Sequence, residues 1–184
     1  RTPRRSQAAV RVAVTLAEDG IISRNEAIMR VEPRAISELL HRQIDPDADR
    51  DVLGSGVAAS PGAATGKIVF SAEAAQSHAS RGIDCILVRR ETSPEDVRGM
   101  HAAVGVVTER GGITSHAAVI GRGIGLPCVV GVKDIRFQIK RKSLICNNGR
   151  QLKEGDEITI DGTSGEILFG SPKMVEAALD DAFQ

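Results

Sequence analysis

TERGGITSHAAVIGRGIGLPCVVG, residues 108 to 131, contains the turn on which the fold of this chain depends. Gly111 and Gly112 permit a tight turn without the steric cost of a Cβ. Thr114 or Ser115 is then placed to accept a hydrogen bond from the first free amides of a helix. His116 falls in the first turn of that helix. There the unpaired N–H groups and the positive end of the helix dipole favour an anion, so a phosphate can be held with few basic side chains. Val119 and Ile120, three and four positions on, are apolar and turn that face toward a sheet. The histidine is thus presented at the helix tip, which is the arrangement a phosphohistidine needs. Taken alone, the same residues also describe a polar side chain that only caps a helix. The glycines at 121 to 125 follow the helix, whereas a dinucleotide-binding loop must precede one.

Outward from this stretch, short apolar runs alternate with short helical ones. AAVGVVTE (102–109) reads as a buried strand delivering the chain to the turn, and CILVRR (85–90) as another. Ser93-Pro94-Glu95-Asp96 is a helix start, with a capping residue, a proline at the first helical position and acids in the first turn. Residues 56–66 supply Gly and Pro turns leading to a strand at 67–70, and 72–81 are helical. PCVVG (127–131), SLICN (143–147), DEITIDG (156–162) and GEILFG (165–170) read as strands, and 172–183, opening on Pro172, as a closing helix. The class is α/β.

Residues 7–18, 23–31 and a segment from Pro33 read as helices, with Ser23 and Glu26 at the spacing of a capping box. DPDADRD (45–51) interrupts the apolar periodicity and reads as a linker. The expected division is a helical segment over 1–50, an α/β domain over 51–172 and a terminal helical segment over 173–184. An opening Arg-Thr-Pro and a stop inside a helical pattern are expected of a fragment.

Composition narrows the function. The 184 residues carry 24 Lys+Arg and 24 Asp+Glu, and this balance points to neither a nucleic-acid nor a membrane partner. Aromatic residues are 2%, with no Trp or Tyr, which removes the stacking platforms of single-strand binders. Cys85, Cys128 and Cys146 are odd in number, widely spaced and set in apolar runs, so they read as buried thiols of a cytoplasmic protein. His41, His78 and His101 have no partners at ligand spacing, and no metal site is expected. Arg122 reads as structural, KRK (140–142) as a solvated turn, and Glu109 and Arg110 as groups in reach of a phosphoryl group or a docked partner.

TERGGITSHAA with GLPCVVG, ASPGAATG (59–66), SPEDVRGM (93–100) and AIMRVEP (27–33) together resemble the phosphohistidine swivelling domain of phosphoenolpyruvate-utilising enzymes. Within that family they resemble the dikinase branch, over essentially the whole chain. The resemblance implies a swivelling β/β/α-type domain with a small N-terminal helical appendage. It implies that His116 is phosphorylated at Nε2, with Gly111, Gly112, Thr114 and Ser115 as its supporting loop. The phosphoryl group would come from ATP and inorganic phosphate at a preceding nucleotide-binding domain, and a following barrel would pass it to pyruvate. Mg²⁺ is implied at those outer sites, and no cofactor in this segment. Thr114 is implied as a regulatory phosphorylation site for a kinase and phosphatase, and the barrel as the seat of a homodimer. Ile113 stands where the family usually has Met, and Gly121 where it has Ala. Phosphoenolpyruvate synthase and the first enzyme of the sugar phosphotransferase system share the turn-and-histidine layout, and a non-catalytic interaction module is the alternative from another class.

Overall fold

Cys85-Ile86-Leu87-Val88 is apolar at every position, the pattern of a parallel strand covered on both faces. All four side chains are fully buried in the computed structural model, which describes residues 42–175. In chain order the strands are β1 (Gln43–Ile44), β2 (Val52–Ser60), β3 (Ala63–Val69), β4 (Cys85–Arg89), β5 (Gly105–Thr108) and β6 (Cys128–Lys133). After them come β7 (Ile135–Gln138), β8 (Ser143–Cys146), β9 (Gln151–Lys153), β10 (Glu157–Asp161), β11 (Glu166–Phe169) and β12 (Met174–Val175). The helices are α1 (Ala72–Ser80), α2 (Val97–Ala102) and α3 (His116–Ile124).

Strands β3, β4, β5 and β6 lie side by side and parallel. Parallel neighbours need a crossover, and α1, α2 and α3 supply one each. Strands β10, β11 and β2 run antiparallel and close the sheet into a barrel in the order β10-β11-β2-β6-β5-β4-β3. Successive residues therefore point alternately inward and outward. Ile86, Val88, Val107 and Val129 join Ile158, Ile160 and Ile167 in the inner core. Cys85, Leu87, Val106, Cys128 and Val130 face Ala75, Met100, Ala117 and Ala118 of the helices. Each fully buried Val, Leu or Ile contributes about 1.5–3 kcal/mol of transfer free energy. A second sheet, β7-β8-β9, adds Phe137, Leu144 and Leu152 to the inner cluster.

The acidic run at 45–51 is tied down by charge. Arg50 reaches Asp161 at 3.3 Å and Glu166 at 2.6 Å, and Asp51 meets Arg150 at 2.8 Å. The compact unit runs from Ile44 to Met174.

Several expectations are corrected. The strand leading to the glycine turn begins at Gly105, because Ala102 is still the last residue of α2. Met174 and Val175 are extended where a helix is expected. The amide of Asp45 donates to the carbonyl of Lys173 at 2.9 Å, and Met174 packs against the cluster of Ile44, Ala63 and Leu168, so strand pairing prevails there over helical periodicity. Strands β1, β2, β7 and β9 are additional, and β3 starts at Ala63, because the chain is extended on both sides of Pro61–Gly62 where turns are expected up to residue 66. The expected helices between residues 7 and 40, His41, and the helical pattern beyond 175 lie outside the described residues.

Candidate functional site

The turn between β5 and α3 is built from Gly111 outward. Gly111 has φ +110, and a Cβ there would sit 2.8 Å from the Cβ of Ser115, so both backbone conformation and space demand glycine. Gly112 is held by neither constraint: its φ is ordinary, and a Cβ there would meet open space. Its contribution is its carbonyl, which accepts from the Ser115 hydroxyl at 2.7 Å and from the Ser115 amide at 3.1 Å.

Of the two capping candidates, Ser115 is the cap. Its φ and ψ are extended, and its Oγ accepts from the Ala118 amide at 3.4 Å. Thr114 lies one residue outside the cap and is exposed. His116 is the first residue of α3 and half-buried, while Ala117 and Ala118 behind it are packed on the sheet. Val119 is half exposed (50%), and Ile113 is exposed to 60%, so two apolar side chains flank the histidine in solvent.

Sequence reasoning missed the residue that orients the ring. The Oγ1 of Thr92, 8% exposed, lies 2.9 Å from His116 Nδ1. Nε2 makes no hydrogen bond among the described residues. Thr92 belongs to the segment after β4, and the pairing of Arg89 with Thr108 sets the ends of β4 and β5 side by side. Beyond the strands the pairing persists, with the Glu109 amide donating to Arg89 O and the Arg110 amide to Arg90 O. Immediately after Thr92, the amide of Ser93 donates to the Asp96 carboxylate at 3.0 Å, so the loop carrying Thr92 is anchored to the helical turn after it. The signal available in sequence was the threonine next to a helix start; its partner, 24 residues on, required the strand register.

Arg122 donates from Nη1 to Ala59 O at 3.1 Å and from Nη2 to Ile113 O at 2.6 Å, bracing the loop before His116. Arg110 is exposed, and Glu109 faces Arg90 at 4.0 Å. The described residues contain no group of three or more His, Cys, Asp or Glu that could hold a metal ion. His78 donates from Nδ1 to Ala74 O of its own helix at 2.9 Å, and His101 is exposed at the end of α2. All three cysteines are buried free thiols. No helix among the described residues is long and apolar enough to cross a membrane.

The arrangement offers one ring nitrogen fixed and the other presented, at a helix start that favours an anion. Residues 83–165 match the family described as PEP-utilising enzyme, mobile domain. The chain is 51% identical over 180 residues to pyruvate, phosphate dikinase of Rhizobium meliloti (strain 1021), covering 98% of this chain and 20% of that protein. It is 46% identical over 178 residues to pyruvate, phosphate dikinase 2 of Zea mays, covering 96% and 20%. Against pyruvate, phosphate dikinase of Clostridium symbiosum it is 43% identical over 183 residues, covering 98% and 21%. The chain thus spans about a fifth of the length of these relatives.

Proposed function

We propose that the chain, whose residues 83–165 match the mobile domain of PEP-utilising enzymes, is the phosphocarrier segment of a pyruvate, phosphate dikinase, with His116 as the group that is phosphorylated. The observation that carries this reading is the Thr92 contact: Nδ1 is held at 2.9 Å, and Nε2 is left as the nucleophile. The Nε2 lone pair forms the N–P bond as the bond from phosphorus to the departing oxygen breaks. In the second half, the enolate oxygen of pyruvate takes the phosphoryl group and the N–P bond breaks, giving phosphoenolpyruvate. Thr92 keeps the ring from rotating between the two events. The helix start favours the transferred anion while it is carried.

Donor and acceptor sites are assigned to other domains of the full-length protein. These are an ATP- and phosphate-binding domain before this segment, to which residues 1–50 would belong, and a barrel after residues 173–184 that also supports a dimer. Exposed Ile113 and Val119 around His116 suit a surface that is covered in turn by each. Thr114, exposed two residues before His116, is the proposed site for a regulatory kinase and phosphatase. A dianionic phosphate there would repel the incoming phosphoryl group and occupy its place at the helix start. A cytoplasmic location completes the proposal.

In the full-length protein, His116→Asn is expected to retain the wild-type melting temperature and to lose pyruvate-dependent ATP consumption. Turnover retained in that variant would refute the assignment. Turnover that does not depend on inorganic phosphate would assign the segment to a synthase instead.

A further inference from the structure

A cleft of about 610 Å³ opens between the end of β4 and the 3-10 turn Ile139–Arg141 that follows β7. Arg89, Arg90 and Glu91 line it from the first element, Lys140 and Arg141 from the second. Four basic side chains therefore face one acid, in a chain whose overall formal charge is zero. Two of the four are unspent. No ion pair among the described residues engages Lys140 or Arg141, whereas the next residue, Lys142, does reach Glu154 at 3.6 Å. Arg90 meets Glu109 only at 4.0 Å, beyond hydrogen-bond length.

The remaining cation is held rigidly. Arg89 donates from Nη1 to Phe70 O at 2.9 Å, while its buried Nε, 3.6 Å from Asp96, has no hydrogen-bond partner. The turn opposite is closed by the Lys142 amide, which donates to Ile139 O at 3.1 Å, and is tied to the following hairpin by the Glu154 amide, which donates to Lys142 O at 3.2 Å. Gathering like charges around a concavity raises the energy of the empty cleft and concentrates its field, and an anion relieves both. Guanidinium groups match phosphate oxygens in geometry as well as charge. A basic pair on each wall suits a ligand with two anionic centres. The volume suits a small molecule and not the face of an acidic protein.

We propose that this cleft is a binding site for a small ligand carrying two or more phosphate groups. Neither His116 nor Thr92 lines the cleft, and the proposal does not rest on the phosphocarrier reading.

Titrating pyrophosphate into the full 184-residue chain at physiological ionic strength, followed by amide NMR shifts, tests it. The expected result is one-to-one saturation, with shifts centred on residues 89–91 and 138–141 and weaker binding of orthophosphate. Lys140→Ala/Arg141→Ala and, independently, Arg90→Gln should each weaken pyrophosphate by about tenfold. Lys67→Ala, an exposed cation on β3, should leave it unchanged. Absence of saturation, shifts centred elsewhere, or equal affinity in the cleft variants would overturn the proposal. Tighter binding of hexaglutamate than of pyrophosphate would overturn it in favour of an acidic protein partner.

Discussion

Thr92 and His116 lie 24 positions apart, and the parallel pairing of β4 with β5 brings them within hydrogen-bond reach. A histidine at a helix start is legible from glycines and a capping serine, whereas a threonine oriented by strand register is not. Removing the hydroxyl frees the ring without touching Nε2. Thr92→Ala in the full-length protein should therefore slow phosphoryl transfer by about tenfold to a hundredfold, with Thr92→Ser restoring it. Rapid-quench measurement of His116 phosphorylation checks this; an unchanged rate would mean the contact is incidental. Gly121 has an equally local reason. A Cβ at this position would overlap Cys128 Sγ, so close packing against a cysteine seven residues later favours glycine there. Gly121→Ala should destabilise by about 1–3 kcal/mol in urea titrations. Adding Cys128→Ala should recover much of that, and strict additivity of the two effects would contradict the steric account.

The elements show which patterns sequence can reveal. β4 and the α3 start were readable because an unbroken apolar run and a glycine-turn-serine-histidine order each have one main physical interpretation. β7 and β9 were not, since Ile135-Arg136-Phe137-Gln138 and Gln151-Leu152-Lys153 are too short for alternation to stand out. Met174–Val175 failed for another reason: a proline and an amphipathic run read as a helix, but the chain pairs as a strand and packs half-buried Met174 beside Ile44 and Leu168. At this scale the prediction concerns the α3 cap. Ser115→Ala should cost about 0.5–2 kcal/mol in urea titrations, because the Ala118 amide loses its partner and the Gly112 carbonyl keeps only the Ser115 amide. Thr114→Ala should cost far less, and the reverse order would move the cap to Thr114.

For the whole molecule, the closed barrel places its cysteines in the apolar layers. Burial, with a smaller contribution from the Asp84 charge, pushes the Cys85 thiol from its ordinary 9.0 up to about 11. Burial pushes Cys128 up to about 12, against the opposing pull of Arg122. Both groups are held neutral more strongly in the folded state than in the unfolded one. Their stabilising contribution is complete below pH 9 and is lost as pH rises toward 11 and 12. The urea midpoint should therefore fall across that window, and a flat profile would contradict the buried-thiol arrangement. The central claim is that this barrel exists to present His116. Its most direct test is incubation of the full-length protein with phosphoenolpyruvate labelled in the phosphoryl group, followed by peptide mapping. The account predicts acid-labile, base-stable label on His116 and none in His116→Asn. Label that persists in that variant, or maps to another residue, would contradict it.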